Sequence, residues 1–260
     1  MPKVLLLGGA SETAPLALKL AQQSFQVLVS TATDEPLAVG EHTAISRRCG
    51  RLTLEEMGQL ITQEHCCALV DATHPYAKEA HRVARLACEQ TQRPYLRYQR
   101  PESEQRDSRW LYADNHEQAA LLACELAKPI LLTVGSRNLR PYVEAATKCG
   151  LPLYARVLEH PESVAACDAA GLDSSQRIFG RGPFSFEDNL NLLQKHQIGV
   201  LVTKESGAAG GVLEKWRAAQ QQGCRFVVVK RPQEPSEHVY SCMDQLITSL
   251  RQRLNAQEFA

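Results

Sequence analysis

The sequence lacks the marks of several protein classes. Lys+Arg and Asp+Glu are both 29, so the 260-residue chain carries no net charge and no global pull toward nucleic acid or an anionic membrane. No apolar run approaches the roughly 18 residues of a membrane span. The apolar run Val4–Leu7 is too short for a signal-peptide core. Nine cysteines are scattered without a C-x-x-C or a Cys/His pair at zinc spacing. They read as free thiols in a reducing cytosol. A Walker A loop, a G-x-G-x-x-G, a Ser-His-Asp or Cys-His grouping and a metal triad are all missing. The expectation is a cytoplasmic protein without nucleic-acid, membrane or metal partners.

What is present is a repeat. Residues 52–101 and 184–232 align without a gap until one residue is lost near the end. Each copy reads as an acidic helix start, an apolar strand, a loop, a helix, a second strand and Arg-Pro. In the first copy the pattern predicts a helix near 53–64, a strand at 66–70, a helix near 76–90 and a strand at 94–98. The N-terminus supplies a strand at Val4–Leu7, a helix from Ser11 to about Gln23 and a strand at 25–30. A similar strand, Gly turn, helix and strand run from Pro129 to 157. Asp114 is a candidate cap for a helix near 115–127, and a last helix is expected at about 241–255. Residues 101–112 are polar and read as a linker. The fold class is therefore α/β: two Rossmann-like parallel-sheet domains related by internal duplication, divided as 1–112 and 113–260.

In open parallel sheets ligands bind beyond the carboxyl ends of the strands. Gly8 and Gly9, followed by Ser11, form a tight turn before a helix N-terminus. That turn can cradle a phosphate or simply cap a helix. The second strand ends in Ser30-Thr31-Ala32-Thr33 where an NAD site would place an acid, and Asp34 comes late. If a dinucleotide binds, hydroxyls there favour NADPH; a plain polar strand end is the alternative. Thr73, His74 and Tyr76 follow the third strand and can contact a cofactor or merely pack. In the second copy Lys204, Glu205 and Ser206 end an apolar strand ahead of Gly207, Gly210 and Gly211. That stretch places a cation beside exposed N–H groups. Ser185, after Gly182-Pro183-Phe184, is a cap or a ligand contact. The loops together imply a binder of an anionic cofactor and a second anionic ligand.

Several motifs fit one pattern. They are Leu6-Leu7-Gly8-Gly9-x-Ser11-Glu12, Asp71-Ala72-Thr73-His74-Pro75-Tyr76-Ala77, Leu96-Arg97 with Arg100-Pro101, and Gly135-Ser136-Arg137-Asn138-Leu139. Ala155-Arg156-Val157-Leu158, Gly182-Pro183-Phe184-Ser185, Lys204-x-Ser206-Gly207 with Gly210-Gly211, and Arg231-Pro232 continue it. The chain resembles the precorrin-6A reductase family of cobalamin biosynthesis over nearly its full length. The resemblance implies NADPH-dependent reduction of one macrocycle C=C bond, taking precorrin-6A, or its cobalt-loaded form, to precorrin-6B. Two departures stand out: Glu205 where the family usually has Asp, and Ala10 where Thr is common.

Combined with the loops, the resemblance implies that Gly8, Gly9, Ser11, Thr31, Thr73, His74 and Tyr76 surround NADPH. Arg97, Arg137 and Arg156 would pair with ring carboxylates, since guanidinium forks match that geometry. Ser185, Lys204, Glu205 and Ser206 would face a flat ring in a cleft between the domains, with Lys204 or a water on Glu205 supplying a proton. Beyond the substrate, transient contact with neighbouring pathway enzymes is the partner expectation. The rival readings are an NADPH reductase of another conjugated substrate and a non-catalytic dinucleotide binder.

Overall fold

The computed structural model describes residues 1–33, 39, 41–102, 107–207, 210–232 and 236–258. They form two compact units, Met1–Pro101 with Pro232–Ala260, and Glu102–Arg231. Unit 1 contains β1 (Lys3–Leu7), α1 (Thr13–Gln22), β2 (Gln26–Thr31), β3 (Ile45–Cys49), α2 (Leu54–Gln63), β4 (Cys66–Asp71), α3 (Lys78–Thr91) and β5 (Tyr95–Tyr98). Unit 2 contains β6 (Trp110–Ala113), α4 (His116–Glu125), β7 (Ile130–Thr133), α5 (Arg140–Cys149), β8 (Leu153–Val157) and α6 (Pro161–Ala169). It continues with β9 (Arg177–Phe179), α7 (Phe186–Lys195), β10 (Val200–Lys204), α8 (Val212–Gln222) and β11 (Arg225–Val229). The chain then returns to unit 1 with β12 (Val239–Tyr240) and α9 (Met243–Glu258).

Each unit has one six-stranded sheet, ordered β12-β5-β4-β1-β2-β3 in unit 1 and β6-β11-β10-β7-β8-β9 in unit 2. Every described pairing is parallel. Successive strand residues face opposite sides, so each sheet feeds two cores. Val4 and Leu6 join a cluster with Leu16 and Leu20 of α1 and Leu246 and Leu250 of α9. Leu5 and Leu7 join the other, with Met57 and Ile61 of α2 and Ala84 and Ala87 of α3. Among the described residues no helix is long and apolar enough to cross a membrane.

The duplication is real in the backbone. In unit 1 Leu69 stands beside Tyr95 and Asp71 beside Arg97; in unit 2 Leu201 stands beside Phe226 and Thr203 beside Val228. Both copies open on a capping box, Thr53 with Glu56 and Ser185 with Asp188. The one-residue loss falls before α8, not near the end of the copy. Buried His81, Ala84, Ala87 and Cys88 match buried Val212, Lys215, Ala218 and Ala219. The closing bonds Arg93 N–Cys88 O and Cys224 N–Ala219 O match as well. A loss inside the helix would turn its buried face away from the sheet.

The chain exchanges its ends. β6 and α4 follow β5 in sequence but complete the sheet of unit 2, beside β11. β12 and α9 follow β11 but complete unit 1, beside β5. The expected division at 112/113 therefore differs at two places: β6 belongs wholly to unit 2, and the last helix belongs to unit 1. Residues 110–112, read as linker, belong to β6, whose Trp110 packs on Trp216 and Phe226 with ring centroids 5.9 and 5.3 Å away. Asn115, not Asp114, caps α4, accepting from Gln118 N at 2.8 Å. Leu250 is fully buried on the β1–β4 side of unit 1. Leu250→Ala is expected to cost about 2–5 kcal/mol by leaving a cavity. Hydrogen exchange should then accelerate at β1 and β4 amides while β7 and β10 keep their protection.

Candidate active site

In unit 1 the cofactor candidates leave three neighbouring strands at one edge. Leu7, Ser30 and Asp71 lie side by side in β1, β2 and β4, and Gly8 N donates to Ser30 O while Ala72 N donates to Leu7 O, both at 2.9 Å. A Cβ on Gly8 would come within 2.6 Å of Thr13 Cγ2, so the close approach of turn and helix requires glycine. Thr13, fully buried, braces the turn by accepting from Gly9 N at 3.1 Å and donating to Ala10 O at 2.8 Å. No side chain caps α1. Ser11 is exposed; its hydroxyl donates to Glu12 at 3.0 Å and accepts from Arg100 at 3.2 Å. Arg100 also binds Glu12 at 2.8 Å, which neutralises the carboxylate at this helix start.

Thr31 is buried, and its hydroxyl accepts from Arg47 Nε and Nη2 at 3.2 and 3.0 Å. Arg48 Nη1 donates to Ser30 Oγ at 2.8 Å. The sequence alone does not join these arginines to the strand end, because the polar strand β3 carries no apolar pattern. Asp34 lies outside the described residues. Thr73 donates through its amide and its hydroxyl to Asp71 Oδ1, at 2.9 and 2.7 Å. His74 and Tyr76 are half-buried with ring centroids 5.6 Å apart.

In unit 2 the corresponding edge is built from β8, β7 and β10. Lys204 ends β10, and its Nζ would lie 3.9 Å from a Cβ placed on Gly135, in the turn after β7. Burial first, and the Arg137 guanidinium second, pull its amine down to about 8. Arg137 itself is exposed.

The other candidates face inward. Glu205 Oε1 accepts from Gly207 N at 2.9 Å and lies 4.0 Å from Arg231 Nη2, while Arg231 Nε donates to Glu205 O at 3.0 Å. Glu205 therefore braces its own loop and is buried there, where a ring-facing carboxylate was expected. Ser206 is buried and donates to Gly210 O at 3.3 Å. Ser185 Oγ is occupied in its capping box with Asp188.

Two of the three arginines expected to meet ring carboxylates are also buried. Arg156 sits 3.7 Å over the Phe184 ring and donates to Asn189 Oδ1 at 2.9 Å. Burial pulls its guanidinium down to about 10, against an opposing pull from Asp188. Arg97 is 1% exposed and donates to His81 Nδ1 at 2.7 Å. Only Arg137 presents its fork to solvent. No group of His, Cys, Asp and Glu among the described residues could hold a metal ion.

The family model described as precorrin-6x reductase CbiJ/CobK matches residues 3–251. A cobalt-precorrin-6A reductase of Priestia megaterium is 32% identical over 95% of this chain and 97% of its own length. A precorrin-6A reductase of Rhodobacter capsulatus is 28% identical, covering 94% of each chain. The solved structure titled CobK precorrin-6A reductase has a TM-score of 0.75 at 23% identity, covers 97% of both chains and shares the fold. With two parallel sheets whose edges carry these loops, and a match running through both, the chain belongs to the precorrin-6x reductase CbiJ/CobK family.

Proposed function

We propose that this chain reduces precorrin-6A, or its cobalt-loaded form, to the corresponding precorrin-6B with NADPH. The family match across residues 3–251 carries the substrate and reaction. The cofactor rests on the unit 1 edge. A glycine turn there leads into an α-helix with no side-chain cap, a ready place for a pyrophosphate. Arg47 and Arg48 flank the hydroxyls of Ser30 and Thr31. That set suits a 2′-phosphate, which a carboxylate would repel. Thr73, His74 and Tyr76 stand at the same edge and would line the nicotinamide end. NADPH when bound supplies the hydride.

The macrocycle would meet unit 2. Arg137, exposed at the β7 turn, pairs with a ring carboxylate. Hydride addition to the terminal carbon of a conjugated C=C–C=N system sends an electron pair to the ring nitrogen, which needs a proton. Lys204, with its amine near 8, is protonated at neutral pH and gives the proton up more readily than a surface lysine. Glu205 and Ser206 brace the loop that follows Lys204, while Ser185 and Arg156 fix the start of α7.

Anaerobic NADPH oxidation with purified precorrin-6A and with its cobalt form tests the reaction; absence of turnover with both would overturn it. Lys204→Ala should lower kcat by about a hundredfold or more. Lys204→Arg keeps the charge but cannot release the proton, so it should stay low; recovery would leave Lys204 a purely electrostatic role. The kcat profile should fall as pH rises through about 8. Arg137→Ala removes a like charge and should move that limb upward in pH while raising KM for the macrocycle. Arg47→Ala should raise KM for NADPH about tenfold and leave KM for NADH unchanged, the loss of one charged hydrogen-bonding partner.

A further inference from the structure

Unit 1 holds a polar quartet, three of its members buried and Tyr95 half-buried, where its duplicate buries an almost wholly apolar one. Asp71, His81, Tyr95 and Arg97 correspond by strand register and helix burial to Thr203, Val212, Phe226 and Val228. Asp71 is 0% exposed, Arg97 1% and His81 3%. Taking charges out of water is costly, and well-packed apolar residues of similar volume commonly stabilise a core as well or better. Unit 2 is a built-in control. It forms the same sheet order without those charges, so the topology does not demand them.

The bonds of the quartet fall in two sets that meet between His81 and Asp71. Asp71 Oδ1 accepts both the amide and the hydroxyl of Thr73, and Oδ2 accepts Tyr95 OH at 2.9 Å. Arg97 offers only donors, so His81 Nδ1 accepts its 2.7 Å bond. Burial pulls the His81 imidazole down to about 4, leaving it neutral. Its single proton therefore sits on Nε2, which lies 4.0 Å from Asp71 Oδ2. The His74 backbone, beside the ring, favours the charged form but is outweighed by burial. The quartet thus holds the loop through Asp71, which bonds Thr73 and is itself bonded by Tyr95, with the His81–Arg97 pair packed beside it. The equivalent loop of unit 2 is gripped differently, by Glu205 and Arg231.

We infer that Asp71, His81, Tyr95 and Arg97 are positioning residues, which set the Thr73–Tyr76 loop for the nicotinamide cofactor and are dispensable for folding. The inference rests on the reading that unit 1 takes NADPH. Its test replaces the quartet by its own counterparts: Asp71→Thr, His81→Val, Tyr95→Phe and Arg97→Val in one chain. The variant should fold with a thermal midpoint at or above that of the parent. Its Kd for NADPH should rise tenfold or more, with KM for the macrocycle and kcat at saturating NADPH within threefold of the parent. Tyr95→Phe alone, removing one bond to Asp71, should show a smaller rise of the same kind. An unchanged Kd for NADPH would overturn the positioning role. Loss of folding in the quadruple variant would overturn dispensability and make the quartet structural. Failure of the parent chain itself to bind NADPH would remove the cofactor reading on which the inference stands, an outcome read before any variant is made.

Discussion

Parallel pairing places one demand on this chain from which the rest follows: its strands are apolar on both faces, and both faces must be covered. Val4 and Leu6 look one way, Leu5 and Leu7 the other, and all four are buried. α2 and α3 close one side of the unit 1 sheet. α1 cannot close the other alone, because β4 and β5 extend beyond it with Val70, Leu96 and Tyr98. α9 supplies the missing cover with Leu246, Ile247 and Leu250. In unit 2, α4 beside α5 does the same service. Each repeat thus hands its last strand and helix to the sheet built by the other, and neither sheet is complete without the whole chain.

The same demand brings the chemistry to one edge. Parallel strands need crossover helices, so each strand delivers its loop at the same end of the sheet. Duplication then gives two such edges on one scaffold, free to differ. Unit 1 carries hydroxyls backed by Arg47 and Arg48; unit 2 carries a lysine whose charge is discouraged by burial. The family departure at Glu205 fits this division. Its carboxylate bonds the backbone of Gly207, so the extra methylene alters how a loop is braced; on the proposed reading the proton chemistry belongs to Lys204.

Much of this was legible because it is local. Thr53 with Glu56 and Ser185 with Asp188 announce their helices in the sequence, and the apolar runs before Asp71 and Lys204 announce their strands. β3 was not legible: an edge strand reading Ile-Ser-Arg-Arg-Cys buries too little to need an apolar pattern. β12 has two residues and no pattern at all. β6 was hidden because Trp110 and Leu111 follow a charged stretch. α6 and β9 escaped as well, α6 because its apolar residues fall on no single face. The exchange of strands was beyond local reading altogether, since partner choice in a sheet is decided far away in sequence.

The arginines show the same limit at the level of charge. Sequence treats Arg97, Arg137 and Arg156 alike, as forks for carboxylates. Tertiary packing separates them: Arg97 is committed to His81, Arg156 to Phe184 and Asn189, and Arg137 to neither. The exposed one is also the one whose charge bears on Lys204. On the proposed reading these two facts are coupled. A ring carboxylate that pairs with Arg137 offsets the positive field that depresses the amine and so favours its protonated form. The ring itself, excluding water, pushes the other way. Burial is already the larger cause at Lys204, so the amine remains a readier donor than a surface lysine, and the anion on Arg137 decides how fully it is loaded when hydride arrives.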